Sequence, residues 1–338
     1  MKTMNRLFLF TLASIVTVNP VVSQIGLNKL AQSTMIFLLV NTSPKAAGMG
    51  EAYSTLGTGA DAIFFNPAGM AAMKGSFDAS VDVTQWIADI TYFNAKAAYN
   101  LGTYGSVGVH FLTVDYGDII GTTLLTESEK SIYKLGYKET GIVSNVGAYS
   151  LGITYAIFIN TQFAVGGTVK YAGQKLGETM MTSGVKQNDA TKLVFDAGVR
   201  YLTGFKSFTF GMNIRNFSSN IKREEITEQL PLSFVLGGSM DLLDIIDPEH
   251  NKETGCSIGV DFLHQNNYSE RVNLGLEYRV FKELALRGGY QTNRDVASWS
   301  AGIGLDTSID DYTIELNYSF SKFDIFKDVN RFSIGGSF

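Results

Sequence analysis

The most regular feature of the chain is an alternation of apolar and polar side chains with a period of two. In residues 272–280, Val272, Leu274, Leu276, Tyr278 and Val280 fall on one side, and Asn273, Gly275, Glu277 and Arg279 on the other. That period belongs to an extended strand with one apolar and one polar surface. Residues 312–320 repeat it, with Tyr312, Ile314, Leu316, Tyr318 and Phe320 set against Thr313, Glu315, Asn317 and Ser319; residues 149–157 do the same. Similar segments lie near 77–86, 89–101, 104–114, 162–173, 193–203, 208–216, 231–241, 256–264, 284–292, 298–306 and 331–338. The total is about fourteen strands, many near the ~9–11 residues that cross a bilayer at a tilt, and an even number suits a closed bacterial barrel.

The pattern therefore predicts an all-β fold, a transmembrane antiparallel β-barrel of about fourteen strands. The polar faces carry Asp82, Lys96, His110, Lys170, Asp196, Arg200, Arg215, Asp261, Glu277, Arg279, Arg287 and Glu315, interleaved with Gly, Ala, Ser and Thr. Both signs of charge are present, so these residues can pair across an enclosed lumen. On the lipid side an Arg or Lys would cost ~2–4 kcal/mol at the midplane. The competing arrangement is a secreted sandwich that buries the apolar faces and wets the polar ones.

Connection lengths follow the barrel reading. With both termini in the periplasm, the tight connections 101–103, 160–161, 204–207 and 281–283 fall on the periplasmic side. The long stretches 115–144, 174–191 and 217–230 fall outside. One exception is 242–255, long and acidic yet periplasmic by parity, where a short helix is expected as a docking element.

The amino terminus reads as a secretory leader. Lys2 and Arg6 precede the apolar run from Leu7 to Val18, which ends at Asn19-Pro20, with cleavage expected near Ser23. Removing it takes the formal net charge from −5 to −7. No later apolar run reaches the ~20 residues of a membrane-spanning helix. The expected organisation is a signal peptide at 1–23, an N-terminal hatch segment at 24–75 and a barrel at 76–338.

Composition supports export and narrows the chemistry. Charged residues make up only 17% of the chain and aromatics 12%, and with the negative net charge and no basic run this argues against nucleic-acid binding. A single cysteine, Cys256, excludes an intramolecular disulfide or a multi-thiolate metal site, and His110, His250 and His264 lie far apart. No Gly-x-Ser-x-Gly nucleophile elbow is present, and the pairs Glu224-Glu225 and Asp310-Asp311 read as solvated loop charge. Neither an enzyme, a cofactor nor a metal is expected.

Two terminal blocks carry further signals. The last strand ends on Phe338, with Phe332, Ile334 and Gly336 on the same outward face; it resembles the address read by the outer-membrane insertion machinery, which assigns Phe332, Ile334 and Phe338 to that signal. Ahead of the first strand lies a small-residue block containing Ala47-Gly48-Met49-Gly50, Asp61-Ala62 and Asn66-Pro67-Ala68-Gly69. Asn66 is expected to cap a turn with Pro67 at its first position. Gly48-Met49-Gly50 lacks the Gly-Lys-Ser/Thr of a phosphate loop.

The block over residues 37–72 resembles the amino-terminal block of the PorV/PorQ family, outer-membrane barrels associated with the type IX secretion system of Bacteroidota, with Lys45 where that family commonly has Arg. It is more distantly similar to the hatch of FadL-type fatty acid transporters. The resemblance implies a hatch motif at Gly48, Met49, Gly50, Asp61, Asn66, Pro67, Ala68 and Gly69, structural or ligand-binding. It also implies a role as a type IX secretion component docking to the translocon or to cargo carboxy-terminal signal domains. The alternative is a FadL-like passive channel for hydrophobic small molecules, with Met35, Phe37, Met49, Phe64, Phe65 and Met70 lining a pocket. Expected partners are outer-membrane lipid, the translocon and its cargo, and a bound lipid or detergent-like molecule.

Overall fold

The computed structural model describes residues 33–338 apart from 182–183, 224–225, 252 and 295–297. The expected leader and its cleavage point lie outside the described residues. The strands are β1 Phe77–Gln85, β2 Thr91–Asn100, β3 Ser106–Asp115, β4 Ile120–Leu124, β5 Tyr137–Ile142, β6 Val146–Phe158, β7 Phe163–Met181, β8 Gly184–Leu202 and β9 Thr209–Phe217. They continue with β10 Ile221–Arg223, β11 Ile226–Glu228, β12 Ser233–Asp241, β13 Gly255–Gln265, β14 Tyr268–Val280, β15 Leu284–Gln291, β16 Trp299–Ile309, β17 Tyr312–Ser321 and β18 Val329–Ser337. Fourteen of them close into one antiparallel barrel, while β4–β5 and β10–β11 form separate two-stranded ribbons. The fourteen barrel strands coincide with the fourteen alternating segments.

Closure is made by β1 against β18, from Asp78 opposite Ser337 to Gln85 opposite Asn330. The main chain of Phe338 extends the seam, exchanging hydrogen bonds with Phe77 and accepting one from Ser76 N. Outside, the Phe338 ring packs on Phe77 and Tyr312, while Phe332 and Ile334 stand exposed.

The two faces of the wall separate as the alternation predicts. Leu151, Ile153, Tyr155, Leu274, Leu276 and Tyr278 are exposed on the outside, whereas Asp82, Lys96, Lys170, Asp196, Asp261 and Arg287 are buried inside. In water the outer surface would be an unsustainable apolar band; against acyl chains it is the correct solvent. No helix among the described residues is long and apolar enough to cross a membrane.

One expectation changes. Residues 174–191 are not a loop: β7 and β8 run for 19 residues each and stay paired through this stretch, with a register irregularity between Lys175 and Glu178. At ~3.3 Å per residue such strands span about 60 Å, well beyond a bilayer crossing. Lys175, Glu178, Lys186 and Asp189 place charge along the extension, which hides the strand from an apolar-alternation test. Residues 115–144 likewise contain the β4–β5 ribbon rather than irregular chain throughout.

Candidate functional site

The lumen is filled by the chain's own amino-terminal segment. From Ser33 at the long-loop end it descends through a 3₁₀ turn at Ile36–Leu39, the short helix α1 (Pro44–Gly48) and 3₁₀ turns at Gly59–Phe64 and Pro67–Ala72, then enters β1. Two of these starts carry a side-chain cap. Ser43 precedes Pro44, and its hydroxyl accepts from Ala46 N; Asn66 precedes Pro67, and its side chain accepts from Ala68 N at 3.2 Å. The Asn66 amide also donates to Val199 O on β8 at 3.0 Å, tying the cap to the wall.

Glycines let the wall accept this backbone. Gly289 on β15 faces Gly275 on β14, which faces Gly259 on β13. A Cβ at Gly289 would run into Gly50 N, one at Gly275 into Met49 O and one at Gly259 into Ala52 O. On the opposite arc, Gly166 and Gly198 are register partners, and a Cβ on them would meet Pro67 and Asn66. The hatch-motif residues Gly48, Met49, Gly50, Asn66, Pro67, Ala68 and Gly69 are thus buried against the wall or within the segment. The composition displays these glycines, but their role depends on strand register.

At mid-height and below, charges face each other in closed sets. Lys45 on α1 pairs with Asp61 at 2.9 Å and with Glu315 on β17. The other oxygen of Asp61 takes Lys96 of β2 at 2.6 Å, and Lys96 also reaches Asp82 of β1 at 2.8 Å. Asp61 thereby locks the segment to two strands beside the closing seam. Burial alone would raise the Asp61 carboxyl, but Lys45 and Lys96 outweigh it and hold it well below the usual carboxylate range. The same contacts outweigh desolvation at Lys45 and hold its ammonium well above its ordinary value.

Elsewhere on the wall, Lys170 pairs with Asp196 at 2.8 Å, and Arg287 with Glu277 at 2.6 Å. Arg279 joins Glu277 and Asp306. Asp261 accepts from Tyr53 N and Ser54 N at 3.0 Å each and from the Ser54 hydroxyl at 2.6 Å, a second clamp on the segment. Arg215 donates to Phe64 O at 2.8 Å. Arg200 is buried, and its Nε and Nη1 have no protein partner among the described residues. Arg331, absent from the charge pattern read above because it begins the final segment, is deeply buried and donates to Asn41 O at 2.8 Å and to the Ser321 hydroxyl at 2.9 Å. His110 is buried beside Ser150, its ring 4.7 Å from that of Phe64. Below Lys45 a polar cavity of about 520 Å³ opens between segment and wall, bordered by Glu277, Arg279, Arg287, Asp306 and Glu315.

Toward the long-loop end, the same inward rows change chemistry. Lys96 and Asn94 give way to Tyr92 on β2, His110 to Leu112 and Val114 on β3, Lys170 to Ala172 on β7, and Asp196 to Val194 on β8. These side chains, with Ala148, wall an apolar chamber that Met35 and Phe37 occupy. Met35 holds a left-handed backbone with φ 55°, an uncommon conformation for a residue with a side chain. The six residues expected to line one pocket are divided: Met35 and Phe37 fill this chamber, Met70 packs with Ile63 beneath it, and Met49 and Phe65 pack with Tyr53. Phe64 borders both lower clusters.

Comparison with solved structures now adds to the geometry. The chain is similar to the CymD monoaromatic hydrocarbon channel, at 13% identity and TM-score 0.55, covering 89% of this chain and 98% of that one. It is also similar to the Pseudomonas putida toluene transporter TodX, at 13% identity and TM-score 0.52, covering 86% and 96%. The shared property is the fold. This is a closed fourteen-stranded antiparallel barrel with an apolar outer belt. No family model and no curated protein matches the chain, so the PorV/PorQ resemblance rests on the residues of the 37–72 block.

Proposed function

We propose that the protein is a passive outer-membrane port for the uptake of a hydrophobic small molecule, received in the chamber now filled by Met35 and Phe37. The observation that carries this reading is the change of the inward rows from charged to apolar toward the outside. An aqueous pore would keep polar side chains along its whole length, whereas an apolar solute needs a dry, greasy first station. The likeness to CymD and TodX, a monoaromatic hydrocarbon channel and a toluene transporter, favours the same solute class. Below the chamber the paired charges and the packed segment close the direct path, so the solute moves only when the Met35–Phe37 stretch yields. The test is uptake of a radiolabelled aromatic hydrocarbon by cells lacking and then regaining the protein. Restoration by the native chain but not by Leu112→Arg is expected; equal uptake in all three strains sinks the proposal.

A second reading, docking to a type IX translocon or its cargo, is favoured by the outward ribbon region. Ile120, Leu124, Ile132, Leu135 and Ile142 there are exposed where no lipid covers them. Co-purification of a secretion barrel or cargo from the native host tests it.

A further inference from the structure

Five of the six connections at the short-turn end are brief: 101–105, 159–162, 203–208, 281–283 and 310–311. The sixth, 242–254, has 13 residues and its own helical turn α2, Leu243–Ile246. A hairpin closes with two to five residues, so this length is not needed for closure.

The excursion is held in place. At its root the Asp241 carboxylate accepts from Leu243 N at 2.9 Å and Cys256 N at 3.1 Å, while Asp241 N donates to the Ser207 hydroxyl at 2.9 Å. On its return Glu253 O accepts from Lys282 N at 2.8 Å, and the Glu253 carboxylate lies 3.6 Å from the Lys282 ammonium. Lys282 and Phe281 both adopt left-handed backbone, φ 62° and 52°, in a mirror-image turn that ordinarily favours Asn-Gly. The loop therefore presents a defined surface.

What it presents is apolar within an acidic frame. Ile245 is 52% exposed and Ile246 75%, and Phe281 stands exposed on the adjoining turn. Asp244, Asp247, Glu249 and Glu253 lie in the same stretch, where Lys252 is the only Lys or Arg in the sequence. Exposed isoleucines framed by carboxylates mark an interaction surface, and the charge selects the partner's sign. Insertion into the inner leaflet would draw the exposed Asp247 and Glu249 out of water, at the cost of desolvating two charges.

We propose that the β12–β13 connection docks a periplasmic protein whose contact face is apolar at its centre and basic around it. Short-turn ends of outer-membrane barrels face that compartment. The proposal is independent of the transported solute. The test places a photo-crosslinking amino acid at Ile246 in the full-length barrel, expressed in its native host, and identifies the adducts by mass spectrometry. The expected result is an adduct with one non-identical periplasmic polypeptide, at least tenfold weaker in a background carrying Asp247→Lys and Glu249→Lys. Binding of that identified protein to the barrel in lipid nanodiscs should weaken steeply as salt is raised. Heat-modifiable migration of each variant confirms that the barrel has formed. An adduct with phospholipid or with a second copy, no adduct at all, or a yield unchanged by the charge reversal overturns the proposal.

Discussion

The two halves of the lumen share fourteen strands, yet they hold the amino-terminal segment by opposite means. Toward the short turns, Asp61, Lys45, Lys96, Asp82 and Glu315 form a buried set in which every charge has an opposite neighbour. Toward the long loops, Met35 and Phe37 lie among Tyr92, Leu112, Val114 and Val194, held by packing alone on those walls. Desolvated ion pairs resist the loss of one member strongly, because the partner is stranded. An apolar filling can be exchanged for another apolar body at little net cost. The difference teaches where the segment is anchored and where it can give way.

The sharpest way to break this comparison is Asp61→Ala. It removes the carboxylate that Lys45 and Lys96 share and leaves each with one partner, Glu315 and Asp82, so it should loosen the segment by about 3 kcal/mol, the low end for removing one member of a buried pair. In planar bilayers the variant should show larger and more frequent conductance steps than the native barrel, while β-sheet content stays unchanged. Phe37→Ala acts in the other half. Emptying the position should cost about 3 kcal/mol, the low end for a buried Phe→Ala, since the chamber can partly collapse. Unlike Asp61→Ala, it should increase the binding of an aromatic hydrocarbon, read from the fluorescence of Trp86, which packs at the chamber edge. If both variants change conductance and binding alike, the two halves do not differ in kind.

Gly289→Ala tests the contact between wall and segment without touching either half's chemistry. The added methyl meets Gly50 backbone, and overpacking of this sort costs ~1–3 kcal/mol. Protease sensitivity of residues 45–75 in the assembled barrel should rise, and Gly288→Ala, where a Cβ meets nothing within 4 Å, is the matched control. Acidification has the smallest effect. A carboxyl lowered in the folded state adds stability above its unfolded value of about 4 and loses it as pH falls further toward the folded value. The part of the acid response that belongs to Asp61 should therefore appear as a rise in conductance only below about 4, and Asp61→Ala should abolish that part.

The wall was legible because lipid and lumen impose a period of two that survives without any knowledge of neighbours. Residues such as Leu274 and Glu277 declare their faces from local order alone. The pairings inside were not legible. Lys96 meets Asp61 across 35 positions of sequence, in a segment that has turns but no period. Gly275 and Gly289 carry no local sign of their role, which comes from the register that sets them opposite one another against Met49 and Gly50. The apolar chamber was hidden for a related reason: Tyr92, Leu112 and Val114 are inward residues that read as outward ones in any test counting hydrophobicity. Asn66 and Pro67 were readable because a cap and its proline sit side by side.

The glycine contacts bear on how the molecule is put together. Met73 lies only four residues before β1 begins at Phe77, so the packed segment and the first strand travel as one piece. With wall and segment meeting backbone to backbone at Gly289 and Gly50, the inner wall is contoured to a single seat, and a side chain on these wall glycines would push the stopper off it.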